Sequence, residues 1–506
     1  MVGMACGGGL LPPRPDASGR GGSGGAGGFG GAGGFGATGG FNKIYEQKLT
    51  RQVDILFLID DSSSMRLAQN KLLRDFSTFV NTLRNLPGGL PSVHVGVISS
   101  DMGAGDGTIS GCNASGGKKG ILQYAGTITS PATMPCVTNL ASGATFIAEG
   151  DAVKNYTGAL EDVFKCIAAL GETGCGFEHQ FAAILRALGA DGLSAPAENQ
   201  GFLRADAFLA VVMLTNEDDC SASPGTGPNG RIPLFDTAVN TNTASQLGPP
   251  ANFRCNEFGH LCGGGHPKRA APNNDVAAVV TYDDCTSNDV EGYLLGVRDT
   301  AERLKALKSD PSQVIVAAIT GPRTPYTVTW KAPSTPDTSC GAASCPWPVI
   351  GHSCSATDTS FADPGVRTAE LVSEFGANGL ALPICGDSFA PSLERIAQAI
   401  GQLVSAPLCI AGELMDDPAK SGLQPNCTVT AHRQQVNGTV LDSVLPSCAD
   451  SGGTVPCWLT TKDIAACSGK TAVVVNPDPA APNAFSSLTV NCALCIPGVD
   501  DPSQCL

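Results

Sequence analysis

Apolar runs of strand length alternate with helical patterns between residues 53 and 405. The runs are continuous rather than alternating, which is typical of strands buried on both faces. They are VDILFLI (53–59), VHVGVIS (93–99), FLAVVML (208–214), QVIVAAI (313–319) and a shorter run at Leu380–Ile384. Such strands separated by helices predict an α/β fold, with a doubly wound, mostly parallel sheet covered by helices on both faces.

Helical faces with apolar residues at i, i+3 and i+4 follow most of these runs. The helix predicted from about Met65 buries a face that carries Leu72 and Phe76. A helix at about 289–308 is expected to bury Val290 and Leu294. One further helix is predicted after residue 176, and two more are predicted at about 364–375 and 391–404.

The chain divides into three parts by composition. Residues 1–41 are glycine-rich and predict a flexible tether. Residues 42–405 form the predicted sheet domain, with Gly-, Pro- and polar-rich insertions at about 221–287 and 321–362. Beyond residue 406, eight cysteines and two strand-like runs predict a small, disulfide-rich, mostly β module over 406–506.

The cysteine content and the net charge limit the cellular compartments and the classes of partner that are expected. The chain has 21 cysteines at irregular spacings, which indicates a disulfide framework in an oxidising compartment. The formal net charge is −15 and the pI is near 4.8. This balance argues against nucleic acid and against anionic membrane surfaces as partners, because both are bound by Lys/Arg patches.

Cys6 differs from the other cysteines. Ala5 and Cys6, followed by glycines, resemble the processing point of a bacterial lipoprotein, whose apolar segment would then lie upstream of the assigned start. The alternative is an incidental terminal cysteine. We therefore expect an extracytoplasmic protein at the cell surface, outer membrane or periplasm, held to a membrane only through a lipid on Cys6, or otherwise secreted. No apolar stretch reaches the length of a transmembrane helix.

The first apolar run ends abruptly in acids and hydroxyls, in DDSSSM (60–65). Asp60, Ser62 and Ser64 fit a D-x-S-x-S pattern, whereas a pattern that began at Asp61 would end at Met65, which does not bind hard cations. Mg²⁺ takes oxygen ligands in octahedral geometry and usually keeps several waters. Ligands of parallel sheets bind at the carboxyl ends of the strands, where this motif is expected to lie.

Two later loops carry oxygen ligands in corresponding places. Thr173 lies in GETGCG before a predicted helix, and LTNEDDCS (214–221) follows the run FLAVVML. With the D-x-S-x-S motif, this arrangement resembles the von Willebrand factor type A (VWA) domain over about 53–405, as found in bacterial cell-surface VWA lipoproteins. The resemblance implies a metal-ion-dependent adhesion site whose ligands here are Asp60, Ser62, Ser64 and Thr173.

The fifth ligand position departs from the family pattern. Where the family has Thr-Asp-Gly, this chain has Thr215, Asn216 and Glu217, so that Asn216 offers a neutral carbonyl. Glu217 or Asp218 are the candidate substitutes. The implied cofactor is Mg²⁺, with Mn²⁺ or Ca²⁺ as alternatives.

The resemblance implies divalent-metal-dependent adhesion, in which a protein partner donates a carboxylate to the metal. No G-x-S-x-G, HExxH or phosphate-binding glycine loop is present, so we do not expect an enzyme. One alternative is a structural envelope lipoprotein with a vestigial metal site, which Asn216 favours. Another is a non-catalytic subunit of an enzyme complex, although such subunits are usually cytosolic and poor in cysteine.

Overall fold

The computed structural model describes most of the chain beyond the glycine-rich segment. The described residues are 41–48, 51–86, 89–105, 109, 111–112, 116–124, 139–150, 153–222, 233–236, 241–404, 408–434, 440–462, 467, 470–476, 478, 485 and 487–506. The predicted lipid anchor at Cys6 and the predicted tether, except for Phe41, lie outside them.

The strands are β1 (Phe41–Lys48), β2 (Gln52–Ile59), β3 (Ser92–Ser99), β4 (Ile147–Gly150), β5 (Val153–Lys154), β6 (Phe208–Leu214), β7 (His260–Leu261), β8 (Val279–Tyr282), β9 (Thr286–Ser287), β10 (Val314–Thr320), β11 (Tyr326–Lys331), β12 (Trp347–Gly351), β13 (Cys354–Ser355), β14 (Phe361–Ala362), β15 (Gly379–Pro383), β16 (Leu408–Cys409), β17 (Cys427–Gln434), β18 (Val440–Leu445), β19 (Cys457–Thr461), β20 (Ala472–Asn476) and β21 (Ser487–Leu494). The helices are α1 (Arg66–Arg84), α2 (Leu160–Ala168), α3 (Gln180–Leu188), α4 (Phe253–Gly259), α5 (Val297–Lys305), α6 (Val366–Ser373) and α7 (Ala390–Val404).

The main sheet has seven strands in the order β15-β10-β6-β2-β3-β4-β5. The five strands from β15 to β3 are parallel, and β4 and β5 join antiparallel at one edge. The chain moves outward from β2 through β3 to β5, then returns to the other side of β2 with β6. The predicted α/β architecture is therefore confirmed, and the strand order reverses between β2 and β6.

Both faces of the sheet are covered. The residues Ile55, Phe57 and Ile59 of β2 pack with α1, α2 and α7 in one core. Their neighbours Leu56 and Leu58 pack with α3, α5 and α6 in a second core. This division follows from the alternation of side chains along a strand, and it explains why β2 is continuously apolar from Ile55 to Ile59.

The helix positions follow the sequence pattern with three exceptions. The helices α2 and α4 have no counterpart among the predicted helices. The helix predicted at about 289–308 is wrong in its first part, because α5 begins at Val297 and Val290 is 89 % exposed. Asp289 explains the late start, since its carboxylate accepts the N–H of Val297 at 2.9 Å and caps the helix there. None of the described helices has the length and apolar character needed to cross a bilayer.

The described residues of both predicted insertions form helices and strands. The first contains α4 and strands β7 to β9, and the second contains β11 to β14. They share one three-stranded antiparallel sheet, β12-β11-β8, around a separate core that includes Tyr326, Val328 and Trp330. Because the insertions follow β6 and β10, both extend from the carboxyl edge of the main sheet.

The C-terminal residues form two antiparallel sheets, β1-β21-β17-β18 and β16-β20-β19. Their common core includes Val429, Trp458 and Val490. Strand β1 pairs with β21 along its whole length, from Phe41 opposite Leu494 to Lys48 opposite Ser487. The structure therefore places residues 41–48 in the C-terminal sheet, whereas the sequence pattern grouped 42–48 with the main sheet domain.

Every cysteine in the described residues is disulfide-bonded. The bonds shown are Cys112–Cys175, Cys220–Cys255, Cys262–Cys285, Cys340–Cys345, Cys354–Cys385, Cys409–Cys467, Cys427–Cys492, Cys448–Cys457 and Cys495–Cys505. This confirms the predicted disulfide framework and fits an extracellular protein.

Asp75 connects α1 to the start of α7 and gives the first testable prediction. Its carboxylate accepts the N–H of Phe389 at 2.7 Å and the hydroxyl of Ser388 at 2.8 Å. A hydrogen bond from Arg74, together with these two, holds the pKa of Asp75 at about 2. Asp75→Asn is expected to lower the free energy of unfolding by about 1 kcal/mol at pH 7, the usual effect of losing a helix cap.

The pH dependence separates this role from a general packing effect. The folded pKa of Asp75 lies below the unfolded value, so its stabilisation is present above about pH 4 and is lost as the pH falls toward 2. Urea unfolding at pH 7 and pH 2.5 should show a smaller difference between variant and wild type at the lower pH. Glu394→Gln, which changes a carboxylate elsewhere on α7, is the control. A difference for Asp75→Asn that does not change with pH would contradict the capping role.

Candidate metal site

Two hydroxyl- and acid-rich loops meet where the strand order reverses. The loop that begins at Asp60 leaves β2, and the loop that begins at Thr215 leaves the adjacent parallel strand β6. The N–H of Asp60 donates to the carbonyl of Leu214 at 2.9 Å, which joins the two loops at their roots. The carboxyl edge at such a reversal is the usual ligand position of open parallel sheets.

The structure brings together four of the residues that the sequence analysis singled out. The carboxylate of Asp60 accepts the N–H of Ser62 at 2.8 Å. The hydroxyls of Ser62 and Ser64 lie 3.4 Å apart, and the hydroxyl of Ser64 lies 3.2 Å from the amide oxygen of Asn216. Asp60 is also bound by the hydroxyl of Thr215 at 2.9 Å. One carboxylate, two hydroxyls and one amide oxygen therefore form a continuous polar group.

Asp61 has a different role from Asp60. Its carboxylate forms an ion pair with Lys118 and accepts the hydroxyl of Ser99 at 2.6 Å. Its carbonyl accepts the N–H of Gly174 at 2.8 Å. Asp61 is thus neutralised by a cationic side chain and anchors a neighbouring loop. This agrees with a motif that begins at Asp60.

Thr173 lies beside this group without joining its hydrogen bonds. Its side chain is exposed in the loop between α2 and α3, and the next residue, Gly174, contacts Asp61. A Cβ atom at Gly174 would overlap with the Asp61 carboxylate, so the close approach of this loop requires glycine. The Cys112–Cys175 disulfide fixes the same loop.

The two candidate substitutes for the fifth ligand point in different directions. Asp218 accepts Nε2 of His260 at 2.8 Å and the N–H groups of Arg367 and Thr368 at 2.7 and 2.9 Å. Its oxygens are therefore occupied by the start of α6 and by the first insertion. Glu217 accepts only the amide of Asn252 at 2.9 Å and the neighbouring carboxyl of Glu178.

Glu178 is the residue that the sequence analysis missed. It lies between the Thr173 loop and α3, is 2 % exposed, and its Oε1 atom has no hydrogen-bond partner. Nothing in the sequence pattern marks it, because it is brought to Glu217 only by the tertiary fold. Asp363, from the end of the second insertion, lies close by and its N–H donates to the carbonyl of Asn216 at 2.8 Å.

The electrostatics of the site are dominated by buried carboxyl groups. Burial raises the pKa of Asp60 to about 6, although the Ser62 and Thr215 hydrogen bonds oppose the shift. Burial, followed by the charges of nearby carboxylates, raises the pKa of Glu217 to about 8 and that of Glu178 well above its usual range. Each shift means that burial, together with neighbouring negative charge, disfavours the ionised carboxylate.

The donor set around Asp60 fits a hard cation only if ligands other than carboxylates complete the coordination. No group of three His, Cys, Asp or Glu side chains within the described ranges is arranged to hold a metal ion. A cation at Asp60 would therefore depend on the hydroxyls of Ser62 and Ser64, the amide oxygen of Asn216 and water. Such oxygen ligands match the preference of Mg²⁺, which keeps several waters in protein sites.

Comparisons with known proteins give only a distant likeness. No protein-family model and no curated protein matches the sequence. Among solved structures, a von Willebrand factor type A protein from Catenulispora acidiphila is 10 % identical, with a TM-score of 0.28 over 90 % of this chain and 66 % of that one. The pilus adhesin RrgA from Streptococcus pneumoniae is 10 % identical, with a TM-score of 0.26 over 90 % of this chain and 58 % of that one. At these TM-scores the two likenesses carry no argument about function.

Proposed function

We propose that this chain is an extracytoplasmic binding protein with a VWA-like domain, which holds a divalent cation and binds a protein partner through it. The cation is Mg²⁺, with Mn²⁺ or Ca²⁺ as alternatives. Its ligands are Asp60, Ser62, Ser64 and Asn216, with Thr173 approaching from the neighbouring loop when the partner binds. The strand order and the position of the motif at its reversal support this proposal.

The observation that carries the proposal is the position of Asp60, whose carboxylate is fully buried and contacts the hydroxyl of Thr215. Asp60, Glu178 and Glu217 influence one another electrostatically, and none forms an ion pair with a Lys or Arg of the described residues. Buried carboxylates are normally paired, bound to a metal or protonated, because an isolated buried charge is costly. A divalent cation among these oxygens offsets the repulsion, whereas Asp61 already has Lys118.

The cation would be reached from one side. Asp60, Ser62 and Asn216 are buried, whereas Ser63 and Thr173 are exposed and Ser64 is half-buried. A partner therefore approaches over the Ser63–Ser64 turn and the Thr173 loop. A carboxylate of that partner would complete the coordination of a cation that otherwise keeps water in the open positions.

The serines of the motif offer an internal control. Ser62→Ala and Ser64→Ala each remove one hydroxyl ligand and are expected to weaken Mg²⁺ or Mn²⁺ binding about tenfold, equivalent to about 1.4 kcal/mol. Ser63→Ala changes the exposed residue between them and should leave the affinity unchanged. Isothermal titration calorimetry on the three variants and the wild type measures the difference.

The same three serine variants also test a second candidate function, that of a structural envelope protein whose cation site is vestigial. This alternative is favoured by the hydrogen bonds between Ser64 and Asn216, at 3.1 and 3.2 Å, which satisfy both groups without a cation. If Ser62→Ala, Ser64→Ala and Ser63→Ala all bind Mg²⁺ as the wild type does, or if none binds it, the adhesion proposal fails and the structural function remains.

A further inference from the structure

A small cavity, open to solvent on the side of Asn252, lies between the Asp60 motif and the first insertion. It is lined by Gly176, Glu178, Glu217, Asp218, Cys220, Asn252, Cys255, Asn256 and Asp363, and its volume of about 10 Å³ is room for one water-sized particle. The lining is mainly polar, and the Cys220–Cys255 disulfide forms its apolar part. The cavity is separate from the hydroxyls of Ser62 and Ser64, which do not line it.

Two glutamates, Glu178 and Glu217, line this cavity, and the negative charge of Glu217 acts on the carboxyl group of Glu178. The Oε1 atom of Glu178 is buried and has no hydrogen-bond partner. More than nine in ten buried polar groups in folded proteins have one, so an orphan acceptor in a polar cavity indicates a missing occupant.

The other polar groups of the lining narrow the identity of that occupant. Asp218 is committed to His260 and the start of α6, and Asp363 pairs with His352 at 2.7 Å. Asn252 contributes a side-chain amide that already contacts Glu217 at 2.9 Å. The cavity therefore offers two carboxylates and an amide oxygen, but no Lys or Arg among its lining residues.

The walls of the cavity are held in place by a covalent bond. The Cys220–Cys255 disulfide joins the loop after β6 to helix α4, so that Glu217 and Asn252 keep their separation. Rigid walls favour an occupant of fixed size. They also mean that the arrangement does not depend on a partner protein.

We propose that Glu178 and Glu217 hold a second divalent cation in this cavity, of the calcium class and beside the cation of the Asp60 motif. Calcium takes several oxygen ligands in flexible geometry and accepts bidentate carboxylates, whereas Mg²⁺ gives up its waters reluctantly and the cavity has no room for those waters. The proposal goes beyond the adhesion function, because it requires neither the serine hydroxyls nor a partner.

Counting bound ions tests this directly. Equilibrium dialysis of the oxidised full chain against Ca²⁺, after removal of metals with EDTA, should give two ions per chain for the wild type. The double variant Glu178→Gln, Glu217→Gln should bind one, as should Asp60→Asn, which removes the other site. Glu291→Gln, a partly exposed glutamate in the first insertion, is the matched control and should bind two.

A further variant keeps the proposal testable if the double variant does not fold. Glu178→Asp keeps the charge but shortens the side chain, and it should weaken the second ion about tenfold without abolishing it. If the double variant keeps two ions, or if it and the wild type both bind one, the glutamates share a proton only and the proposal is overturned. Loss of an ion in the glutamate variant but not in Asp60→Asn would uphold this inference and contradict the adhesion site.

Discussion

Replacing Asp218 with Asn is expected to lower the free energy of unfolding of the sheet domain by about 3 kcal/mol, the upper end of the range for leaving a buried hydrogen-bond donor unsatisfied. The buried carboxylate binds His260 and the first N–H groups of α6, and so connects the loop after β6 to the first insertion and to α6. Asparagine keeps one acceptor but turns an amide donor toward these donors. At least one of them is then left unsatisfied in the protein interior.

The pH dependence of this effect has a defined sign. Burial alone would raise the pKa of Asp218, but the His260 hydrogen bond and the α6 N–H groups lower it to about 2. Because this pKa lies below the unfolded value of about 3.9, the stabilisation is present above pH 4 and is lost as the pH falls toward 2. The wild type and Asp218→Asn should therefore converge in stability near pH 2.

Hydrogen exchange at the amides of α6, measured by mass spectrometry on the oxidised full chain, reports this change locally. Asp299→Asn, at an exposed ion pair on α5, is the control and should change stability by less than about 0.5 kcal/mol. Since the oxygens of Asp218 are already occupied, the folded variant should bind cations as the wild type does. Normal α6 protection combined with lost cation binding would instead identify Asp218 as a ligand.

Asp60→Asn is expected to abolish the stabilisation of the protein by Mg²⁺. A ligand that binds only the folded state adds about 2.7 kcal/mol at a hundred times its Kd, and the variant should gain almost none of this. In EDTA the variant should be as stable as the wild type or more stable, because Asp60 is one source of the repulsion that acts on Glu178 and Glu217.

Thermal unfolding of the wild type and of Asp60→Asn, each with Mg²⁺ and with EDTA, gives the four Tm values to compare. The expected pattern is a cation-dependent rise in Tm for the wild type only, with similar Tm values in EDTA. Ser63→Ala, which changes an exposed residue of the same loop, should behave as the wild type. Equal rises in the wild type and in Asp60→Asn would contradict a cation at Asp60.

Sequence patterns were sufficient for the parts of the fold that depend on local periodicity. The apolar run of β2 and the i, i+3, i+4 face of α1 predicted a buried strand followed by a helix, and Leu72 and Phe76 are buried as expected. Val290 shows the limit of this signal. The apolar spacing of the predicted helix includes Val290, but the carboxylate of Asp289 caps α5 at Val297. The helix therefore begins seven residues after Val290.

For the same reason, the sequence predicted only some of the residues of the candidate site. Asp60, Ser62 and Ser64 are close in sequence, so their pattern alone indicates oxygen ligands at a strand end. Glu178 and Asp363 reach the site through the packing of α3 and of the second insertion, and no local pattern marks either residue. Likewise, the pairing of β1 with β21 joins residues at opposite ends of the chain, which short-range propensities cannot detect.

The account depends on one central claim, that the hydroxyl-rich edge between β2 and β6 holds a divalent cation through Asp60. A calorimetric titration of the EDTA-treated full chain with Mg²⁺, run beside Asp60→Asn, tests it most directly. The account predicts saturable binding by the wild type and only the heat of dilution for the variant. Equal binding by both proteins, or no binding by the wild type, would contradict it.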